Sequence, residues 1–338
     1  SSAFGEESLF APGMHAKFES VSPNPTPASD LCVAAYAVPA SGVDSDVGGV
    51  ALGGLRNLGL TCFLNSVVQL LLRLPRARLF LNRHAKVCAA GEGRCVVCSL
   101  RGTISSIGQK SKPLLAQHRN LVGPQFMQHQ HDASEFVEAL LDAMNTQELE
   151  AFRFVDWPGV SSGDRLGRGT EVDTIFAFLE EVRLECDVCG NPRRIFERST
   201  VLKLPLPPDE TLQWSVTDLM LMLSAREPKG DVFKECPSEV CCGRRVDHKT
   251  QRRVSTCPYV LLVQVRRTRA DGTLARFPLL VEDQLSLPGC GTLVLWGAVY
   301  HRGASSASGH YTCTCIGPDG SFLYFDDHLG PTRLGTGI

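Results

Sequence analysis

A cysteine at the start of an apolar helical pattern is the first position in this sequence that suggests chemistry. The stretch GGLRNLGLTCFLNSVVQLLLRLP places Cys62 directly before apolar residues that are spaced as one face of a helix ending at Pro75. Thr61 is the predicted N-cap, so Cys62 lies in the first turn, where unpaired backbone N–H groups and the helix dipole favour a thiolate. A free cysteine is more often a small buried hydrophobe, so catalysis depends on whether the chain supplies a base.

The candidate base is His310, which stands where the loop SSASG runs into a strand-like segment, HYTCTCIG. Asp326 and Asp327 end the next strand-like segment, and the turn signal GPDGS between the two predicts adjacent antiparallel strands. Taken separately, a histidine and an Asp-Asp turn are ordinary features. A thiol, an imidazole and a carboxylate together are what an activated cysteine hydrolase needs, so the combination favours catalysis.

Composition limits the class of protein. The 338 residues are 43% hydrophobic and 21% charged, as in ordinary globular proteins, and suit one large domain or two lobes. A net charge of -2 gives no electrostatic case for nucleic acid or an anionic membrane as a partner. The apolar run LCVAAYAVPA is too short to span a membrane and is interrupted by Pro39.

The 14 cysteines indicate a reducing compartment. In a large chain without secretory features, cysteines are better explained as metal ligands or catalytic thiols than as disulfides. Several of them occur in short-spaced pairs, which supports this interpretation. A cytoplasmic or nuclear location, or both, is therefore expected.

The order of the elements predicts an α+β fold. Residues 1–50 are rich in Pro, Ser and small polar residues and are expected to form a flexible N-terminal tail. Residues 51–150 show mostly helical periodicity, as in DASEFVEALLDAMN. From about residue 175 strand-like runs dominate, interrupted by one helix, VTDLMLMLS. Helices followed by strands indicate a helical lobe facing a sheet lobe.

Three of these motifs resemble the conserved boxes of the ubiquitin-specific proteases. GLRNLGLTCFLNSVVQ resembles the cysteine box of that family, QHDASEF its second box, and GHYTC with YFDD its histidine box. The resemblance implies a catalytic domain over residues 51–338 with a papain-like cysteine protease fold. Its parts would be a helical thumb (51–150), zinc-binding β fingers with connecting elements (171–250) and a β-sheet palm (251–338).

The resemblance also implies roles for the catalytic residues. Cys62 would be the nucleophile, His310 the base and Asp326 the residue that orients the imidazole, with Asp327 able to share that role. Asn57 matches the asparagine that stabilises the oxyanion in this family. From its position alone, Asn57 would be interpreted as a turn residue before a helix.

The segment QHDASEF has a structural and a functional interpretation. Asp132 and Glu135 have the spacing of a capping box, whose usual function is to close a helix N-terminus. The resemblance implies that the segment also lines the channel for the extended C-terminal tail of ubiquitin, with Asp132 the stronger candidate for that contact. The same channel is assigned to the flanking positions Gln130, Gly309 and Tyr311.

Two cysteine pairs in the strand-rich half predict a structural zinc site. CDVC contains Cys186 and Cys189, and CPSEVCC contains Cys236 with either Cys241 or Cys242 as the fourth ligand. By the resemblance this region corresponds to the fingers, where the second pair is usually spaced more closely. Fingers that have lost their metal are the alternative.

A second possible zinc site lies in HAKVCAAGEGRCVVC. His84 and Cys88 are spaced four residues apart, and Cys95 and Cys98 form a CxxC pair, so the four read as a Cys3His zinc site. The alternative is that these side chains pack in the core without metal.

The function predicted from the resemblance is a thiol-dependent deubiquitinase that needs no cofactor for catalysis. Its partners would be ubiquitin and ubiquitinated proteins. A catalytically silent ubiquitin-binding scaffold and a protease for another ubiquitin-like modifier are the alternatives.

Overall fold

The fold combines a layer of helices with a large mixed β-sheet and a smaller antiparallel sheet. A computed structural model describes residues 31–39, 53–88, 94–104, 107, 126, 129–151, 169–225, 232–269, 271, 273–305, 308–317 and 319–334. The helices are α1 (Cys62–Arg73), α2 (Pro75–Val87), α3 (Val96–Ile104), α4 (Ala133–Ala151), α5 (Glu171–Phe176) and α6 (Val216–Ser224). None of these described helices is long and apolar enough to cross a membrane.

The strands fall into three sheets. They are β1 (Leu31–Ala37), β2 (Phe178–Cys186), β3 (Pro192–Ser199), β4 (Val201–Leu204), β5 (Trp214–Ser215), β6 (Val232–Glu235), β7 (Arg245–Val254), β8 (Val260–Val265), β9 (Leu279–Leu280), β10 (Gln284–Leu287), β11 (Gly291–Ser305), β12 (Ser308–Ile316), β13 (Phe322–Phe325) and β14 (Thr332–Arg333). The main sheet has the order β14-β13-β12-β11-β1-β8-β4, with β10 paired to β11. The second sheet has the order β3-β2-β7-β6, and β5 pairs with β9.

Helix α1 is buried along its whole length. Its apolar side chains pack into a core shared with α2, α3, α4 and one face of the main sheet. Two buried amides on the same helix serve a different purpose: Asn65 Nδ2 donates to the carbonyl of Leu55 at 3.2 Å and Gln69 Nε2 to that of Gly53 at 3.0 Å. These bonds fix the segment before Cys62 against the helix that carries it. Pro75 ends α1 and begins α2, as its lack of an N–H favours.

Strand β1 corrects the prediction of a tail over residues 1–50. Leu31–Ala37 form a strand in the middle of the main sheet, antiparallel to both β11 and β8. Val33 and Ala35 face the helical core, whereas Ala34 and Tyr36 face a second core on the other side of the sheet. A strand buried on both faces has no polar alternation, so its sequence reads as a short apolar run. The remaining residues of the predicted tail, 1–30 and 40–50, lie outside the described residues.

Candidate active site and metal clusters

Cys62 is the first residue of α1, as predicted, but the turn before it is closed by Asn57 and not by a Thr61 cap. The side chain of Thr61 makes no capping bond; its hydroxyl accepts the N–H of Leu58 at 2.9 Å. Asn57 Oδ1 accepts the backbone N–H groups of Gly59 at 2.9 Å and Thr61 at 3.2 Å. Gly59 has φ +110°, a conformation that favours glycine. The turn therefore fixes the approach of the chain to Cys62.

His310 and Asp326, the predicted base and the residue predicted to orient it, are brought together by two neighbouring strands. His310 is in β12 and Asp326 directly follows β13, and the two strands pair antiparallel. His310 Nε2 lies 2.7 Å from Asp326 Oδ1. Hydrogen bonding to the Cys62 side chain, followed by the bond to Asp326 and the nearby carboxylate charges, raises the pKa of His310 to about 9, although burial opposes the rise. The thiol, the imidazole and the carboxylate are therefore linked as a catalytic triad requires.

Asp327 has partners different from those expected. Its Oδ2 is 3.8 Å from His310 Nε2, which is too far for a hydrogen bond. Its carboxylate instead accepts bonds from Asn57 Nδ2 at 2.8 Å and Asn65 Nδ2 at 2.7 Å, and its backbone oxygen accepts the N–H of Leu55 at 2.7 Å. The residue has φ +46°, and its side chain is only 8% exposed. Asp327 thus connects the loop after β13 to the Cys62 loop and to α1.

The two interpretations of Asn57 are compatible in this geometry. Its amide oxygen closes the turn before Cys62, and its amide nitrogen donates to Asp327. An amide nitrogen carries two N–H groups, of which the bond to Asp327 uses one. The side chain is therefore held in one orientation, as an oxyanion donor needs.

Gln130 lies at the thiol. Its Nε2 is 3.8 Å from Cys62 Sγ and donates to the carbonyl of Gly309 at 2.8 Å. The sequence assigned Gln130 and Gly309 to the tail channel. In the structure they form a bridge across the cleft, from the loop before α4 to the residue before His310.

Two of the residues that the sequence assigned to the tail channel, Asp132 and Glu135, line a cavity of about 390 Å³. Asp132 Oδ1 accepts the N–H of Ser134 at 2.7 Å and so caps α4. The carboxylate of Glu135 lies 3.9 Å from His131 Nδ1. Both acidic residues also line the cavity, together with Cys32, Gln264, Val265, Arg266, Arg267, Thr268, Leu274 and His301. The capping and lining roles of Asp132 therefore coexist.

Tyr311 is placed differently from the sequence expectation. It is only 1% exposed, and its ring stacks on His301 at 4.4 Å and meets Phe63 edge-on at 6.4 Å. Its side chain therefore packs behind His301, which lines the cavity, and offers no surface of its own to a ligand there.

The cysteines of the second sheet form a four-sulfur cluster. Cys186 Sγ is 3.7 Å from Cys241 Sγ, and Cys189 Sγ is 3.6 Å from Cys236 Sγ. Cys242 is exposed, with φ +47°, so the choice left open by the sequence falls on Cys241. All four ligand atoms lie within 4.8 Å of one another. Tetrahedral zinc with Zn–S bonds of about 2.3 Å places its sulfur ligands at such separations.

The front cluster brings together the four residues that the sequence grouped. His84 lies in α2, and Cys88 directly follows that helix. Cys95 directly precedes α3, and Cys98 lies in its first turn. His84 Nε2 is 3.2 Å from Cys95 Sγ, and the four ligand atoms lie within 4.8 Å of one another. Burial lowers the pKa of His84, which keeps the imidazole in the neutral form that binds metal. Both clusters are therefore able to hold zinc.

Asn65 is a site residue that the sequence interpretation missed. It lies on an apolar helix three residues after Cys62, and Gln69 follows four residues later on the same face. Two amides on a helix that is otherwise apolar and buried were the available signal, because buried polar groups need specific partners.

Residues 53–330 match the sequence model of the family "Ubiquitin carboxyl-terminal hydrolase". Ubiquitin carboxyl-terminal hydrolase 23 of Arabidopsis thaliana is 28% identical over an alignment of 296 residues, and the match covers 81% of this chain and 33% of that protein. Probable ubiquitin carboxyl-terminal hydrolase 16 of Schizosaccharomyces pombe is 25% identical over an alignment of 296 residues, and the match covers 81% of this chain and 61% of that protein. The chain thus spans less than two thirds of the length of either relative.

Solved structures share the fold. A chain of the SAGA Ubp8/Sgf11/Sus1/Sgf73 DUB module bound to ubiquitin aldehyde matches with a TM-score of 0.67 at 19% identity, over 87% of this chain and 68% of that chain. A chain of a second structure, the SAGA Ubp8/Sgf11/Sus1/Sgf73 DUB module, matches with a TM-score of 0.64 at 18% identity, over 86% of this chain and 65% of that chain. The predicted α+β fold is confirmed, and the four-cysteine cluster lies in the β region where zinc-binding fingers were predicted.

Proposed function

Because the chain belongs to the ubiquitin carboxyl-terminal hydrolase family, we propose that it is a thiol-dependent deubiquitinase. It would hydrolyse isopeptide and peptide bonds at the C-terminal glycine of ubiquitin. The observation that carries this proposal is the linkage of Cys62 through His310 to Asp326, with a 2.7 Å contact between the imidazole and the carboxylate.

The mechanism is acyl transfer in two steps. The Cys62 thiolate attacks the carbonyl carbon of the terminal glycine, and the His310 imidazolium protonates the lysine amine as the C–N bond breaks. The resulting thioester is then attacked by water, whose proton His310 accepts, and the thiolate leaves. Asp326 holds the imidazole in position throughout and stabilises its charged form.

The oxyanion of each tetrahedral intermediate would accept hydrogen bonds from the Asn57 amide and from the backbone N–H of Cys62. Donors that are already fixed stabilise developing charge without reorganising during the reaction. The bonds of Asn57 to Asp327 and to the turn before Cys62 support this role.

The extended tail of ubiquitin would enter through the cavity beside Asp132. Asp132 and Glu135, whose carboxylates can accept hydrogen bonds from the basic and backbone N–H groups of a peptide tail, line that cavity together with Arg266 and Arg267. Gln130 and Gly309 would then flank the last residues of the tail, where it reaches the thiol.

The remaining parts of the chain would hold ubiquitin and the fold. We assign α1–α4 to a thumb, the sheet β3-β2-β7-β6 to fingers and the main sheet to a palm. Cys186, Cys189, Cys236 and Cys241 would hold one structural zinc ion, and His84, Cys88, Cys95 and Cys98 a second. A zinc ion bound at such a site contributes folding free energy and takes no part in the hydrolysis.

Turnover of a fluorogenic amide of the ubiquitin C-terminus tests the proposal. Cys62→Ala should abolish hydrolysis while ubiquitin binding, measured by calorimetry, is retained, because the binding surface extends well beyond the thiol. Cys242→Ser is the matched control, since this thiol is exposed and outside both the triad and the clusters. If the wild-type chain binds ubiquitin but does not hydrolyse the amide, it is a silent scaffold. If it hydrolyses only the corresponding amide of another ubiquitin-like modifier, that modifier is its substrate.

A further inference from the structure

Strand β1 contains a bulge at Cys32. Leu31 pairs with Tyr300 of β11 and Val33 with Val299, so β1 has one residue more than its partner strand at this point. In a regular strand, neighbouring side chains face opposite sides of the sheet. Here Cys32 and Val33 both pack into the core between the sheet and the helices, whereas Leu31 packs into the other core. The bulge therefore turns the thiol of Cys32 toward the helical side of the sheet.

That thiol meets the carboxylate that caps α4. Cys32 Sγ lies 3.8 Å from Asp132 Oδ1, a distance at which the large sulfur atom still donates a weak hydrogen bond. Ser134 donates to the same oxygen through its backbone N–H, at 2.7 Å, and through its hydroxyl. Every hydrogen bond that the described residues make to this carboxylate ends on Oδ1. Oδ2 is therefore left to a ligand in the cavity that Cys32 and Asp132 both line.

The same end of β1 also contacts the opposite side of the cavity lining. Arg267 Nε donates to the carbonyl of Leu31 at 2.8 Å, and Arg267 lines the cavity just after β8. Leu31 and Cys32 thus connect the part of the lining that precedes α4 with the part that follows β8. Neither residue lies within the 53–330 match to the family, so that match assigns them no function.

The thiol of Cys32 stays protonated. Burial and the charge of Asp132 raise the pKa of Cys32 well above its ordinary value, although the charge of Arg267 opposes the rise. A thiol that does not ionise is a poor nucleophile but remains a hydrogen-bond donor. Cys32 is therefore suited to hold a carboxylate and not to react.

We propose that Cys32 is a positioning residue for the binding of the ubiquitin tail. Its S–H group holds Asp132 Oδ1, so that Oδ2 faces the cavity and accepts N–H groups of the bound tail. This inference rests on the proposed deubiquitinase function and adds to its binding site a strand outside the family match. A carboxylate that is already oriented loses less conformational freedom when the tail binds. The contribution of Cys32 is therefore to affinity and not to the chemical step.

The test separates the donor from the volume of the side chain. Cys32→Ala and Cys32→Ser remove a similar volume, but only serine still donates a hydrogen bond. With the fluorogenic ubiquitin amide, Cys32→Ala should raise KM about 3- to 5-fold, as expected for one weak hydrogen bond, and leave kcat within about two-fold. Cys32→Ser should keep KM within about two-fold of the wild type. Calorimetric Kd values for ubiquitin, measured in the Cys62→Ala background, should follow the same pattern.

Two further variants distinguish positioning from a loss of stability. Val33→Ala truncates the next side chain of β1 in the same core, so it should lower the melting temperature and leave KM unchanged. Asp132→Asn keeps an oxygen that can cap α4 but removes the charge, so it should raise KM. Adding Cys32→Ala to Asp132→Asn should raise KM little further, because Cys32 acts through Asp132.

A KM for Cys32→Ala within two-fold of the wild type would overturn the inference. Equal increases in Cys32→Ala and Cys32→Ser, or an equal increase in Val33→Ala, would overturn it as well, because packing or stability would then explain the effect. A full further increase on Asp132→Asn would show that Cys32 does not act through that carboxylate. A wild-type chain that neither hydrolyses the amide nor binds ubiquitin would refute the proposed function, and this inference with it, before any variant is compared.

Discussion

Replacing Asp327 by asparagine is expected to separate oxyanion stabilisation from nucleophile activation. The change preserves the shape of the side chain and its tolerance of a positive φ, here +46°. It converts one of two acceptor oxygens into an NH2 group. With Asp327 in place, Asn57 Nδ2 and Asn65 Nδ2 donate to its two oxygens at 2.8 and 2.7 Å. After the change, one of these two donors faces the new NH2 group, which is itself a donor.

The cost follows from these contacts. Losing one hydrogen bond to a buried charged group typically costs about 1.5–3 kcal/mol of stability. If Asn57 is the residue released, the proposed oxyanion donor loses its orientation, and removing such a donor outright lowers kcat by about 100- to 1000-fold. Asp327→Asn should therefore reduce hydrolysis by up to about 100- to 1000-fold while the protein remains folded.

Alkylation of Cys62 by iodoacetamide supplies the second measurement, because this reaction needs the thiolate but forms no oxyanion. Asp327→Asn should leave the alkylation rate within about two-fold of the wild type, since activation of the thiol by His310 does not require an oxyanion donor. Asp326→Asn is the matched control: it removes the bond to His310 Nε2 and should slow alkylation and hydrolysis together. Adding Asp327→Asn to Asn57→Ala should lower kcat little further, because both changes remove the same oxyanion stabilisation by Asn57.

Two results would refute this reasoning. Hydrolysis by Asp327→Asn within three-fold of the wild type would mean that Asn57 needs no support from Asp327. A parallel fall in alkylation and hydrolysis would mean that Asp327 acts on the imidazole after all, as the sequence suggested.

The other predictions concern pH and metal. Because the pKa of His310 is raised from 6.5 to about 9, kcat/KM should fall as pH rises through about 9, where the imidazolium that protonates the leaving amine is lost. The same shift stabilises the folded state fully below pH 6.5 and is lost by about pH 9, so the melting-temperature advantage over His310→Gln should shrink across that interval. Elemental analysis should find two zinc ions per chain, one for each cluster. Cys186→Ser should remove one of them and lower the melting temperature, whereas Cys242→Ser should change neither. His84→Ala should remove the other, and an active sample that contains no zinc would contradict both assignments.

The positions of Cys62 and of the His310–Asp326 pair were predictable because the sequence around each motif predicts the helix or strand that carries it. An apolar helical face after Cys62 and a Pro-Asp-Gly turn between two strand-like runs determine the local geometry. The resemblance to a family then joined motifs that are far apart in the chain. In the structure His310 Nε2 lies 2.7 Å from Asp326 Oδ1, and the pKa of His310 is raised by the Cys62 side chain and by Asp326.

The role of Asp327 was not predictable in the same way. Its partners depend on a crossing of two loops at Gly54, and no local pattern encodes which of two adjacent carboxylates turns inward. The choice between Cys241 and Cys242 has the same character, since it depends on a backbone conformation of φ +47° at Cys242 that directs this residue outward. Spacing alone leaves both cysteines within reach of the cluster.

The position of β1 affects how the polypeptide folds as it is synthesised. Leu31–Ala37 is made before its neighbours in the sheet, β8 and β11, which lie at 260–265 and 291–305. At a synthesis rate of about 5–20 residues per second, the apolar segment leaves the ribosome roughly 10 s or more before a partner exists. The main sheet is therefore completed only after β8 and β11 have been made. Until then the nascent chain exposes an unpaired hydrophobic strand. A polypeptide starting at Gly53, where the family match begins, would lack this strand and would leave β8 and β11 as two open edges prone to aggregation.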